Sequence, residues 1–175
     1  DLIEELNMYE DIPQRKVADL FLELLYGDQP AGWDVGGKKE IIQKLTREAM
    51  VKYRSKHYLA KSTLIVVAGN FEPKKMLAKI EKIFANIPDT RKFGKVATIE
   101  SQKNPEILVK YKESDQTHLI LGCRAYDLFD KRKYALEILA DILGGGMSSR
   151  LFQKVREELG AAYYVKADAE LLTDH

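Results

Sequence analysis

Residues 134–166 run YALEILADILGGGMSSRLFQKVREELGAAYYVK, and the reading of the whole chain turns on this stretch. Residues 134–143 are nearly all apolar, the composition of a helix covered on most of its surface. Gly144, Gly145 and Gly146 stop it, because glycine ends helices readily and continues them poorly. Ser148 or Ser149 can cap a second helix running through Leu159. Gly160 ends that helix, and a strand is expected from Ala162.

The same reading extends outward. Residues 106–112 and 117–124 are expected to form two antiparallel strands joined through Glu113, Ser114 and Asp115. Upstream, residues 89–105 are rich in Thr, Arg, Lys, Gly, Ser, Gln and Asn, as a linker is. Before it, Pro73 opens a helix striped by Met76, Leu77, Ile80, Ile83 and Phe84, and the β-branched run 63–68 reads as a buried strand. Thr46 caps a helix reaching about Tyr58, and a short helix precedes it around 40–45. Gly27 to Gly37 is a loop. Val17, Leu20, Phe21, Leu24 and Leu25 keep the spacing of one helix face, behind a break at Asp11, Ile12 and Pro13. Strands grouped with helices, without regular alternation, give an α+β class. Leu2, Ile3 and Leu6 form an apolar face with no cap before them, and the last strand stops almost at once. The chain is therefore expected to be part of a longer one.

Composition narrows the partners. The 175 residues carry 28 Lys+Arg against 27 Asp+Glu, a net charge of +1, so neither nucleic acid nor an anionic membrane is expected to bind. The apolar runs at 64–68 and 134–143 are too short to cross a bilayer, and no signal-peptide pattern stands at the start. A soluble protein is expected, with the cytoplasm favoured. Cys123 stands alone, which excludes an internal disulfide framework. His57, His118 and His175 are too far apart to make a local metal motif.

Four groups of residues have side chains or backbone suited to chemistry. The triple glycine could cradle an anion, but no lysine follows it and a helix, not a strand, precedes it, so it fits neither phosphate-binding pattern. Glu4, Glu5, Glu10 and Asp11 form an acidic cluster, which could ligate a metal and more commonly decorates a solvated helix face. His118 and Cys123 fall on opposite faces of one strand. Arg156 and Tyr163 flank Gly160, so a helix end and a turn can bring guanidinium and phenol to one edge. Together they would make donors for a peptide carbonyl or an oxyanion. The plain alternative pairs Arg156 with Glu157 or Glu158 and leaves Tyr163 to pack.

Gly144 to Gln153, with Val155-Arg156-Glu157 and Gly160-Ala161-Ala162-Tyr163, resembles the signature of the insulinase/pitrilysin zinc peptidases, in the branch of the mitochondrial processing peptidase and its bacterial relatives. The N-terminal segment from Glu4 to Pro13, the 27–37 loop, 53–58 and 66–70 fit the same template. The resemblance implies an inverted zincin built from two homologous α/β-sandwich domains, each a mostly antiparallel mixed sheet covered by helices. Residues 1–88 would be the later part of the zinc-side domain, 89–105 the linker and 106–175 the early part of the second domain. In that family H-x-x-E-H supplies two zinc ligands and the general base, and this chain lacks it. Glu5 matches the position of the third zinc ligand, and Arg156 and Tyr163 match the pair that contacts substrate. The implied parent is a zinc metalloendopeptidase that takes extended peptides in an enclosed chamber, as a homo- or heterodimer. The isolated chain is expected to be inactive and to hold no zinc tightly. The alternative is a non-catalytic subunit that serves as scaffold or recognises peptides.

Overall fold

A computed structural model describes residues 2–89 and 94–174. Residues 90–93 of the expected linker, and His175, lie outside the described residues. Among the described residues six α-helices form: α1 (Leu2–Glu10), α2 (Pro13–Tyr26), α3 (Lys39–Ile42), α4 (Arg47–His57), α5 (Pro73–Phe84) and α6 (Lys133–Gly144). Short 3₁₀ turns occupy Pro30–Gly32 and Ala60–Ser62, and Phe152–Glu158 winds as a π-helix. By its contacts the chain divides into one unit made of 1–6 with 35–96 and another made of 7–34 with 97–175.

The helix boundaries follow local chemistry. Pro13 sits in the first turn of α2, where its missing N–H costs nothing, and Gly27 closes the helix at φ 69°, its N–H donating to the Glu23 carbonyl. The Thr46 hydroxyl accepts from Ala49 N at 3.2 Å and starts α4, as its sequence position predicts. Within the first unit Leu59 is buried beside the Ala60 N–H to Pro88 carbonyl bond, which ties the segment after α4 to the segment after α5. Within the second unit the Phe21 ring lies against Gly122, where a methyl group would strike it. The Arg124 guanidinium donates to the Leu25 carbonyl at the end of α2 and lies 5.2 Å from the Tyr26 ring centre. The Gln29 side chain holds the Ile99 peptide with two bonds, accepting from its N–H at 2.8 Å and donating to its carbonyl at 3.0 Å.

The α+β expectation meets its helices but not its sheets. No strand is formed among the described residues, and 63–68, 106–112, 117–124 and the segment from Ala162 make no ladder. Their side chains nevertheless alternate. Leu64, Ile65, Val66 and Val67 are 87, 39, 78 and 38% exposed, and Leu119, Ile120 and Leu121 are 86, 37 and 94% exposed. That is the two-residue period of extended chain. A strand is a relation between segments, not a property of one, and backbone groups without a neighbour in register remain unpaired however β-prone the side chains are.

The uncovered surface is correspondingly large. The chain exposes 15106 Å². A folded chain of 20.0 kDa exposes about 8,700 Å², and two separate bodies of half that mass about 10,500 Å² together. Leu6 and Leu59 are the buried large apolar residues among those described. The α2 stripe that reads as a core face is only partly covered and has no fully buried member, and on α5 Met76 and Ile80 are partly covered while Leu77, Ile83 and Phe84 are exposed.

Candidate functional site

Arg156 and Tyr163 are brought together. The π-helix is wider than an α-helix, its Leu159 N–H reaching the Lys154 carbonyl five residues back, and Ala161 N–H closes its end on the Val155 carbonyl. Single π turns of this kind recur at functional sites. Gly160 then turns the chain with φ 57°, a conformation that favours glycine, and returns Tyr163 towards the helix. The Arg156 guanidinium carbon lies 5.2 Å from the Tyr163 ring centre and 4.8 Å from that of Phe152. Both distances are within cation–π range, worth about 0.5–1 kcal/mol at an exposed site.

The plain alternative for these residues is not the arrangement seen. Glu158 is taken by Lys154 at 2.6 Å, and Arg156 makes no ion pair with any described residue. Tyr163 is 84% exposed, so its phenol is not packed away. Phe152, which fixes the other side of the guanidinium, was missed in the sequence. Its position four residues before Arg156 was the available signal.

The acidic cluster divides. Glu10 bonds Lys16 at 2.6 Å and lies 3.9 Å from Lys110, and Asp11 bonds Lys112 at 3.0 Å. These two carboxylates are occupied in joining α1 and α2 to the 110–112 segment. Glu4 and Glu5 stand in the first turn of α1, where the helix dipole favours negative charge. Glu5 is exposed and belongs to the first unit, whereas Arg156 and Tyr163 belong to the second. Among the described residues no group of three or more His, Cys, Asp or Glu gathers that could hold a metal ion. The described residues alone therefore gather no donor set for zinc.

The other candidates resolve locally. His57 stacks on Tyr53, one turn earlier, at 4.2 Å between ring centres. His118 Nδ1 lies 3.1 Å from the Tyr164 hydroxyl, a pairing across 46 positions that no local pattern signals, and Cys123 is exposed. The serine cap expected after the glycines is not made: the Ser149 hydroxyl has no partner, and the Ser149 carbonyl accepts from Gln153 N instead. Among the described residues no helix is long and apolar enough to cross a membrane.

Comparison with known proteins gives these residues a family. A family model described as the peptidase M16 inactive domain matches residues 44–174. The chain belongs to the M16 peptidase family. A Bacillus subtilis relative, named an uncharacterised zinc protease, is 36% identical over 163 residues, covering 93% of this chain and 39% of its own length. A Mycobacterium leprae protein of the same description is 30% identical over 181 residues, covering 99% and 40%. The crystal structure of a peptidase M16 inactive domain from Pseudomonas fluorescens superposes with TM-score 0.70 at 18% identity, covering 98% of this chain and 42% of that one. The chain thus spans about two fifths of the length of these M16 relatives, and its fold is like that of the M16 inactive domain.

Proposed function

We propose that the chain is part of a zinc-dependent metalloendopeptidase that cleaves extended peptides inside an enclosed chamber. The observation that carries this reading is the Arg156–Tyr163 pair, held 5.2 Å apart across the Gly160 turn, in a chain whose relatives are named zinc proteases. A guanidinium braced between two rings and an exposed phenol are both donors. They would bind the carbonyl oxygen of a substrate peptide and keep binding it as negative charge develops there. Phe152 limits the swing of the guanidinium, so its donors are aimed before substrate arrives.

The remaining zinc ligands and the general base would come from the rest of the parent. Glu5 would be one ligand and an H-x-x-E-H segment elsewhere would give the others. The described residues of this chain gather no site for the metal by themselves. In this reading residues 1–88 belong to the zinc-side domain, 89–105 link, and 106–175 open the second domain. The alternating segments 63–68, 106–112 and 117–124 would become strands of the two sandwich sheets when the remaining chain supplies their neighbours. The large exposed area supports that. The parent would be a soluble, cytoplasmic dimer whose partner in catalysis is a peptide.

A second reading has one observation in its favour: the matching family model is described as an inactive domain. A non-catalytic subunit that recognises peptides would keep Arg156 and Tyr163 without turnover. Glu5→Gln in the full-length parent separates the two, with Glu4→Gln as its neighbour control about 100° around the helix. On the peptidase reading Glu5→Gln loses both bound zinc and peptidase activity, and Glu4→Gln keeps most of each. Equal zinc content in the two variants removes Glu5 from the site.

A further inference from the structure

The loop between α6 and the π-helix borders a shallow, open cleft of about 420 Å³, lined by Asp141, Gly145, Gly146, Ser148, Ser149 and Arg150 among others. Its volume falls within the range of small-molecule sites. The loop is anchored at its base: Gly144 is buried, and a methyl group there would collide with the backbone of Lys166 and Ala167. Gly145 lies so close to the Asp141 carboxylate that a side chain would strike it, whereas a Cβ on Gly146 would meet nothing within 4 Å.

Three features of the cleft call for a ligand. First, Ser149 is only 6% exposed and its hydroxyl makes no hydrogen bond. A buried hydroxyl without a partner is unfavourable until something accepts from it or donates to it. Second, Asp141 and Arg150 bring opposite charges to the same cleft, and neither makes an ion pair with a described residue. Third, the backbone N–H groups of the lining residues Gly146 and Ser148, and of Met147 between them, find no acceptor among the described residues. Consecutive free N–H groups in a turn form an anion-binding concavity.

A bare anion suits only part of this arrangement, because the Asp141 carboxylate would repel it. A bare cation leaves Arg150, Ser149 and the N–H groups unanswered. We propose that the cleft binds a small zwitterion, a free α-amino acid. Its ammonium lies at Asp141, and its carboxylate accepts from the Ser149 hydroxyl, the loop N–H groups and Arg150. Ile142, also in the lining, gives a short apolar side chain a surface to rest on. The site lies entirely within the second unit, and its existence does not depend on the peptidase reading.

The test is titration of the 175-residue chain with L-alanine and L-leucine, read from the amide signals of residues 145–150. N-acetyl-L-alanine, L-alaninamide and inorganic phosphate are run in parallel. Saturable millimolar or tighter binding of the free amino acids is expected, with each capped derivative and phosphate at least tenfold weaker. Ser149→Ala should weaken binding about five- to tenfold, the worth of one hydrogen bond, and Asp141→Asn or Arg150→Gln tenfold or more for a lost charge-assisted bond. No saturable change at millimolar amino acid overturns the proposal. So does binding of N-acetyl-L-alanine or phosphate as tight as that of L-alanine, which would make this an anion site. The capped ligands act on the unmodified chain, so the answer does not depend on a variant's folding.

Discussion

Gly144 and Gly146 stand two residues apart in one loop, and alanine is expected to act on them in opposite directions. At Gly144, the last residue of α6, the new methyl group meets the peptide between Lys166 and Ala167 closer than any real contact. Backbone cannot swing aside as the end of a long side chain can, so the cost is that of overpacking, about 2 kcal/mol in a typical range of 1–3. Alanine returns up to about 1 kcal/mol of helix propensity, less at a helix end, leaving a net loss of about 1–1.5 kcal/mol. At Gly146 a methyl group meets nothing within 4 Å, and its φ is not among the positive ones. There, restriction of the unfolded chain stabilises by about 0.4–1 kcal/mol. For a chain of this size about 2–4 °C accompanies each kcal/mol. Gly144→Ala should therefore lower the melting temperature by about 2–6 °C, and Gly146→Ala should raise it by about 1–4 °C. Urea titration of the three proteins, with circular dichroism at 222 nm, checks the sign through the midpoint. A Gly144→Ala protein at least as stable as the parent sequence would refute the close packing of α6 on 166–167.

Other outcomes follow from single contacts. Thr46→Ala should cost about 1 kcal/mol by removing the hydroxyl that starts α4, with Thr46→Ser recovering most of it in the same urea experiment. The Asp130 carboxyl is held at about 2 by side-chain and backbone bonds from Arg132. Its folded value lies below its unfolded one, so the stability it lends is present above about pH 4 and is lost as pH falls through about 2. Carbon-detected NMR titration should show that low value, and Arg132→Gln should raise it only part of the way to the usual carboxylate range, because the backbone N–H of residue 132 still donates to Asp130. In the full-length parent, Arg156→Ala or Tyr163→Phe should lower turnover on the order of 10²-fold with zinc content unchanged. Unaltered turnover in both would reduce their proximity to packing. The 175-residue chain alone should retain no stoichiometric zinc after dialysis against a weak chelator, since a catalytic zinc site takes about three protein ligands.

What the sequence determined by itself is what depends on neighbours a few residues away. Pro13, Thr46, Gly27 and the three glycines placed the helix ends, because caps and φ preferences act within one turn. The signature from Gly144 to Tyr163 disclosed the family, because it is a string of residue identities. The period-two pattern at 63–68 and 117–124 also survives, as alternating exposure. Tertiary structure alone decided the rest. Whether an alternating segment becomes a strand depends on a neighbour in register, and none is paired among the described residues. Glu10 and Asp11 were carboxylates of open role until Lys16, Lys110 and Lys112 neutralised them across as many as 101 positions of sequence. Ser149 had the position of a cap, yet its hydroxyl ended buried and unpaired beside a cleft. Arg156 and Tyr163 could be placed near one another from Gly160, but Phe152 as a second ring against the guanidinium could not. Each of these follows from the path of the backbone in space, which residue identity and spacing constrain only over a turn or two.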